Sequence, residues 1–149
     1  EALVSAESAR QIAAVAPVLV QNAGQLNFSR LRSEFSELRL ENRLAWALEN
    51  TLKAIEIETA QTLPRGWRLK YRRAALIIDS FFHPWSITRS PEDPRLTPHY
   101  DVLDPEITSR EALKEVKENL SPISERWKIA TAIGGDDFVR ALRGARGAD

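Results

Sequence analysis

The stretch from residue 27 to residue 63 constrains the fold most, because it contains neither glycine nor proline. Small and apolar residues recur in it every seven positions and are flanked by others. The recurring positions are Leu31, Leu38, Ala45, Leu52 and Thr59, beside Phe35, Leu48 and Ile55. This period predicts one long helix from Asn27 or Ser29 to Leu63. A second apolar strip indicates cover on more than one side, as in a bundle of three or more helices. It comprises Leu40, Leu44, Ala47 and Ala54.

The predicted length of this helix bears on the shape of the molecule. At 1.5 Å per residue the helix would extend about 50 Å. A compact domain of this chain length has a radius of gyration of only about 15 Å. We therefore expect either an elongated molecule or a break in the helix, and a projecting end would need a partner chain to cover it.

The remaining segments also carry helical patterns. A first helix is predicted from about residue 8, with Pro17 either kinking it or starting a second short helix. A stripe of apolar residues from Trp67 to Trp85 predicts a helix that Pro84 ends. Capping patterns predict further helices from Thr108, from Ser121 to Gly134 and Gly135, and from Asp136. The predicted fold class is all-α, a somewhat elongated bundle of four to six helices with one very long helix, forming a single domain over residues 1–149.

Residues 84–105 contain five of the eight prolines and predict a long crossover loop. Loops of this length in compact domains are uncommon and are often functional or packed against a surface. Apolar residues are spread through the segment, so we expect it to pack on the bundle. These are Trp85, Ile87, Leu96, Tyr100, Val102 and Leu103. The last residues, 143–149, have nothing to bury and are predicted to fray.

Composition excludes several classes of function. The chain has no cysteine, which rules out disulfides, thiolate metal sites and thiol nucleophiles. Its 21 basic and 21 acidic residues give no global attraction to nucleic acid or membranes. The apolar run at residues 12–20 is too short to cross a bilayer, so no transmembrane segment is predicted. Because the chain starts at Glu1 and has no methionine, we expect a processed form or part of a longer protein.

No residues form a convincing catalytic or metal-binding motif. His83 and His99, with Asp79 and Asp101, do not have the spacing of a known metal site. The sequence GGDDF at 134–138 resembles a phosphate-binding turn, but it lacks the lysine and the preceding strand of a P-loop. Ser80 and Ser86 near His83 do not by themselves indicate a catalytic triad. We therefore predict that the protein is not an enzyme and that it uses no cofactor.

The segment RGWRLKYRR, residues 65–73, combines five cations with two aromatic residues and no acid. Its cations are Arg65, Arg68, Lys70, Arg72 and Arg73. We predict a helix here, although WRLKY also alternates as a strand would. The simpler interpretation is a solvated helix face whose charges pair with acids elsewhere in the chain, for instance those of the long helix: Glu34, Glu37, Glu41, Glu49, Glu56 and Glu58. The other interpretation is an anion site, which Arg140, Arg143 and Arg146 would extend if the C-terminus lay alongside.

Trp85 stands where the predicted helix meets the proline-rich loop, with other aromatic residues near it in sequence. Phe81, Phe82, Trp85 and Tyr100 are therefore predicted to bind a protein partner, since aromatic residues are enriched at interfaces. The other interpretation of Trp85 is burial as a hinge between the loop and the bundle. The predicted function is that of a non-enzymatic interaction or accessory subunit that docks on a larger protein assembly. The alternative is a small module that binds nucleic acid or an acidic membrane through residues 65–73.

Overall fold

The computed structural model of this protein describes residues 9–88 and 100–147, without the side chains of residues 9 and 10. Helices α1 to α5 are Ala9–Ala13, Val15–Asn22, Phe28–Glu37, Glu41–Thr59 and Arg65–Thr88. After residue 99 follow β1 (Asp101–Val102), α6 (Arg110–Glu118), α7 (Pro122–Trp127), β2 (Ile129–Ala130) and α8 (Gly135–Ala145). The two short strands pair in parallel, with Asp101 opposite Ile129. The predicted all-α fold class is confirmed, and the longest described helix is α5.

Helix α4 lies at the centre of the bundle and is buried on several sides. It packs against α2, α3, α5, α7 and α8. Leu44, Ala45, Trp46 and Ala47 are all buried, and four consecutive positions of a helix point in different directions around its axis. The prediction that this segment is covered on more than one side is therefore confirmed.

The prediction of one uninterrupted helix over residues 27–63 is wrong. Helix α3 ends at Glu37, and α4 begins at Glu41. At the break, Arg39 takes a left-handed conformation with a φ of 58°. The amides of Arg39 and Leu40 donate to the carbonyls of Ser36 and Phe35, which is the Schellman pattern of helix ends. The break lets α3 fold back against α4 and buries Phe28 and Phe35, whereas Leu38 of the predicted strip stays exposed.

Replacing Arg39 by glycine is expected to stabilise the protein. The left-handed conformation costs residues other than glycine about 1–2 kcal/mol. Glycine avoids this cost, but part of the gain is lost because glycine has more conformational freedom in the unfolded state. Arg39→Gly should therefore raise the free energy of unfolding by about 0.5–1 kcal/mol, and Arg39→Val should lower it. Urea denaturation followed by tryptophan fluorescence measures both changes. A destabilising Arg39→Gly would indicate a continuous helix through residues 38–40.

Helix α5 does not end at Pro84 as predicted but continues to Thr88. Proline inside a helix costs about 3 kcal/mol because it removes one backbone hydrogen bond. Phe82 and Trp85 are buried on either side of Pro84, and their packing compensates for this loss. The loop predicted over 84–105 is therefore helical up to Thr88 and forms strand β1 at Asp101–Val102. Most of its prolines, and His99, lie outside the described residues.

The C-terminal third differs from the prediction in three places. Ser109 caps α6 instead of Thr108, by accepting a hydrogen bond from the amide of Ala112. Helix α7 does start after the predicted cap Ser121, but it ends at Trp127 because Lys128 adopts a left-handed φ of 55° before β2. The helix predicted to reach Gly134 and Gly135 is thus wrong beyond residue 127. The cap of α8 is Gly134, whose amide donates to the side chain of Asp137.

The tail predicted to fray over residues 143–149 is ordered in its described part. Helix α8 runs through Ala145. The side chains of Arg143 and Arg146 donate to the carboxylate of Glu58 on α4, which is fully buried. The frayed-tail prediction is therefore wrong for residues 143–146, because a buried carboxylate far away in sequence holds this part of the chain in place.

Candidate docking surface

The aromatic residues predicted to bind a partner are not one exposed cluster. Phe82 and Trp85 are buried, and their rings lie 5.9 Å from that of Trp127 on α7. Phe81 is half-buried and stacks on Phe28 of α3 with ring centres 5.5 Å apart. Three of the predicted residues therefore come together, but they join α3, α5 and α7 inside the bundle.

Tyr100 lies apart from the other three, immediately before β1. Its hydroxyl donates to the carboxylate of Glu125, at 2.8 Å, and the amines of Lys117 and Lys128 lie over its ring. Burial raises the pKa of the Tyr100 hydroxyl. The hydrogen bonds from Lys128 and Tyr100 lower the pKa of the Glu125 carboxyl. These contacts tie the beginning of β1 to the turn that follows α7.

Two cations of the basic segment have contacts within the domain. Arg68 donates to the carbonyl oxygens of Thr59 and Gln61, at 2.7 and 2.8 Å. It thereby satisfies the C-terminal end of α4, whose last carbonyls lack helical partners. The amine of Lys70 lies 4.9 Å from the centre of the Trp67 ring. Arg68 is therefore a structural residue, and Lys70 remains at the surface as part of a cation–π pair.

Five of the six acids that were expected to neutralise this segment bind other cations instead. Glu49 pairs with Arg126, Glu56 with Lys53, and Glu58 with Arg143 and Arg146. Glu34 and Glu41 pair with Arg30 and Arg32. Among residues 9–88 and 100–147, no ion pair involves Arg65, Arg68, Lys70, Arg72 or Arg73. The basic face is largely solvated, as the simpler interpretation predicted, but the predicted pairing of its charges with acids of the long segment is wrong.

Exposed apolar residues lie among these cations and continue beyond them along α5. Leu69, Leu76 and Ile87 are 56, 72 and 68% exposed. Steps of seven and eleven residues are close to whole numbers of helical turns, so these three side chains form one line along α5. Arg65, Arg72 and Arg73 flank the line and are exposed. We call this set the outer face of α5: Arg65, Leu69, Arg72, Arg73, Leu76 and Ile87.

Helix stability does not explain the cations of the outer face. The N-terminal end of a helix carries a partial positive charge, so acidic residues stabilise it and cations destabilise it. The first turn of α5 has no acidic residue and begins with Arg65. Arg68 and Arg72 are also one turn apart on α5, a spacing at which like charges repel. The charge pattern of α5 is therefore unfavourable for the isolated chain.

The sequence reasoning identified these cations but missed Leu69, Leu76 and Ile87. The sequence does contain the pattern that identifies these three residues. The buried residues of α5 include Tyr71, Ala74, Ile78 and Trp85, and they define the inward side. The three missed residues fall on the opposite side at helical spacing. An apolar line on the side away from a complete buried stripe indicates a surface that is left uncovered.

The other residues that were considered for metal or phosphate binding have structural roles where the structure describes them. Asp101 binds Arg43 through both carboxylate oxygens, and Asp137 caps α8. Within the described ranges, no group of three or more His, Asp or Glu side chains is arranged to hold a metal ion. The same part of the chain has no helix with the length and apolar character needed to cross a bilayer.

Comparisons with protein-family models, with curated proteins and with solved structures find no match to this chain.

Proposed function

We propose that this protein is a non-enzymatic interaction subunit that docks on a larger protein assembly through the outer face of α5. The observation that carries the proposal is the juxtaposition of exposed leucines with cations that lack ion-pair partners among the described residues. A partner surface with acidic residues around an apolar strip would cover the leucines and pair with the cations. The proposal keeps the predicted function but moves the docking site from the aromatic cluster to the outer face.

The dimensions of the outer face suit a helix of the partner. Helix α5 has 24 residues and therefore extends about 36 Å at 1.5 Å per residue. Leu69 and Leu76 lie about 10 Å apart along it, which is the spacing of successive apolar layers in packed helices. Arginine is enriched at protein interfaces because it covers apolar surface while its guanidinium pairs with carboxylates. We therefore propose an acidic amphipathic helix as the docking element of the partner.

Binding of nucleic acid or of an acidic membrane through the same cations is the alternative function. Contacts with a phosphate backbone depend on charge and weaken steeply as salt rises. They do not require Leu69 or Leu76, so substitutions of the leucines separate this function from the proposed one. The balance of 21 basic and 21 acidic residues also gives the domain no net positive charge to support it.

Substitutions on the outer face are expected to abolish partner binding without affecting stability. Leu76→Asp and Arg72→Glu should each reduce recovery of the co-purifying partner at least about tenfold, equivalent to 1.4 kcal/mol. Exposed substitutions of this kind change the free energy of unfolding by only about 0.5 kcal/mol. Recovery is measured by quantitative mass spectrometry after affinity purification from the native source. Val18→Asp is the matched control, since Val18 is 57% exposed and lies on α2.

Gel-shift and liposome assays at low salt complete this experiment. Partner recovery that is equal for wild type, Leu76→Asp and Arg72→Glu contradicts the proposed function. Binding to DNA, RNA or anionic vesicles that Arg72→Glu abolishes and Leu76→Asp leaves unchanged would establish the alternative instead. Substitutions of Arg68 are unsuitable here because they would also disturb the end of α4.

A further inference from the structure

A second surface feature lies beside the outer face, in a groove between α2 and α5. The groove has a volume of about 220 Å³. Lys70, Arg73 and Ile77 of α5 line one side of it. Gln21, near the end of α2, and Gln25, in the turn that follows, line the other side. Sites for whole small molecules have volumes of about 300–1,000 Å³. The groove is therefore suited to one chemical group and not to a complete organic molecule.

The charged residues of the groove have one sign. No acid is among the described residues that line it, and α2 contains no charged residue. Lys70 and Arg73 are exposed and have no ion-pair partner in the described parts of the chain. The C-terminal end of α2 contributes only about half a negative charge, against one positive charge from each of these two side chains. The groove therefore attracts anions.

The side chains of the groove also supply hydrogen-bond donors that an anion can reach. A terminal nitrogen of Arg73 lies 3.4 Å from the position that a Cβ atom of Gly24 would occupy, so the guanidinium extends to the turn after α2. In the part of the chain that the structure describes, neither this guanidinium nor the carboxamides of Gln21 and Gln25 make a hydrogen bond. These three side chains are exposed, and Lys70 adds the three N–H donors of its amine. An occupant can therefore contact donors from both sides of the groove.

We propose that this groove binds a phosphate monoester group whose organic part lies outside it. A monoester carries a charge of about −1.5 to −2 at pH 7 and three acceptor oxygens, which matches two cations and two carboxamides. A carboxylate has one charge and two oxygens and would leave one cation unpaired. The phosphodiester of a nucleic acid backbone also carries only one charge, which separates this site from the alternative function. The proposal does not depend on the docking function, because the groove shares only Arg73 with the outer face of α5.

Inorganic phosphate, methyl phosphate and dimethyl phosphate are suitable probes, since the first two are mainly dianions above neutral pH and the third carries one charge. Titration of the full chain at constant ionic strength is followed by the NMR signals of the side-chain amides of Gln21 and Gln25. Methyl phosphate is expected to shift both signals and to bind at least about tenfold more tightly than dimethyl phosphate. Equal affinities for the two esters, or no shift of these signals, would overturn the proposal. Binding of inorganic phosphate without binding of methyl phosphate would also overturn it, because the groove would then accept only the free ion.

Substitutions of neighbouring arginines locate the binding. Arg73→Gln should weaken binding of methyl phosphate at least about tenfold. Arg72→Gln is the matched control, because it removes the same charge from an exposed arginine that does not line the groove, and it should change the affinity less than about twofold. Equal weakening by both substitutions would mean that the probe responds to the total charge of α5, and it would refute the proposal.

Lys70→Gln separates this proposal from the docking function, since Lys70 lines the groove but is not part of the outer face. It should weaken binding of methyl phosphate and leave recovery of the co-purifying partner unchanged. All three variants replace exposed side chains and are expected to fold, which thermal denaturation checks. Normal binding of methyl phosphate by both Lys70→Gln and Arg73→Gln would place the site elsewhere.

Discussion

Deletion of residues 143–149 is expected to lower the free energy of unfolding by about 3 kcal/mol, the lower end of the cost of breaking a buried ion pair. The carboxylate of Glu58 is fully buried within the bundle. Nε of Arg143 donates to one of its oxygens at 2.8 Å, and a terminal nitrogen of Arg146 donates to the other at 2.5 Å. Without these two guanidinium groups, α4 would hold a charged group away from water with no partner.

Arg146 carries most of this effect. Its side chain is 12% exposed, whereas that of Arg143 is 37% exposed and can exchange its contact for water. Burial acts to lower the pKa of Arg146, but its interactions with Glu58 and Tyr71 together outweigh burial and raise the pKa. The guanidinium is thus held in its charged form where it meets the carboxylate. We expect Arg146→Ala alone to account for the larger part of the loss.

Urea denaturation of the truncated protein measures this prediction. Arg140→Ala is the matched control, because its side chain is 76% exposed and lies 3.9 Å from Asp137. An exposed pair of this kind contributes about 0–1 kcal/mol. A truncated chain as stable as the full chain would mean that the last turn of α8 is frayed, as the sequence alone suggested.

The sequence predicted those features of the fold that depend on local patterns. The apolar periods of α4 and α5 and the cap at Ser121 identified helices correctly, because each is determined by residues within a few positions. The ordered C-terminus was missed because Glu58 and Arg146 are far apart in sequence, and no local signal links them. The break at Arg39 was missed for a related reason. The gain from folding α3 back on α4 is tertiary, and arginine is not a typical residue for the left-handed conformation.

The candidate site was predicted only in part. The cations at residues 65–73 were recognisable from composition. Whether they had acidic partners depended on the directions in which the glutamates of α4 point, and these could not be predicted from the sequence. Glu49, Glu56 and Glu58 face α7, solvent and α8, and so they are not available to α5. Trp85 was predicted to bind a partner because the sequence does not show that Trp127 covers it. Trp127 belongs to α7, which follows the proline-rich segment.

Replacement of Trp85 by alanine is expected to destabilise the fold by about 3–5 kcal/mol, as for other buried tryptophans. Trp85 is 7% exposed and contacts the rings of Phe82 and Trp127, and the guanidinium of Arg32 lies 4.2 Å from its ring centre. Its removal would leave a cavity where α3, α5 and α7 meet. The partner-binding interpretation of Trp85 implies the opposite result, with partner binding affected more than folding.

Leu76→Ala is the matched control for Trp85→Ala, since Leu76 lies on the same helix and is 72% exposed. It should change the free energy of unfolding by less than about 0.5 kcal/mol. Thermal and urea denaturation of the two variants measure the difference directly. If Trp85→Ala were as stable as Leu76→Ala, Trp85 would not be part of the core, and the aromatic cluster would again be a candidate for partner binding. If Trp85→Ala is destabilised as expected, binding studies must use variants of the outer face of α5, where substitutions are expected to leave the fold intact.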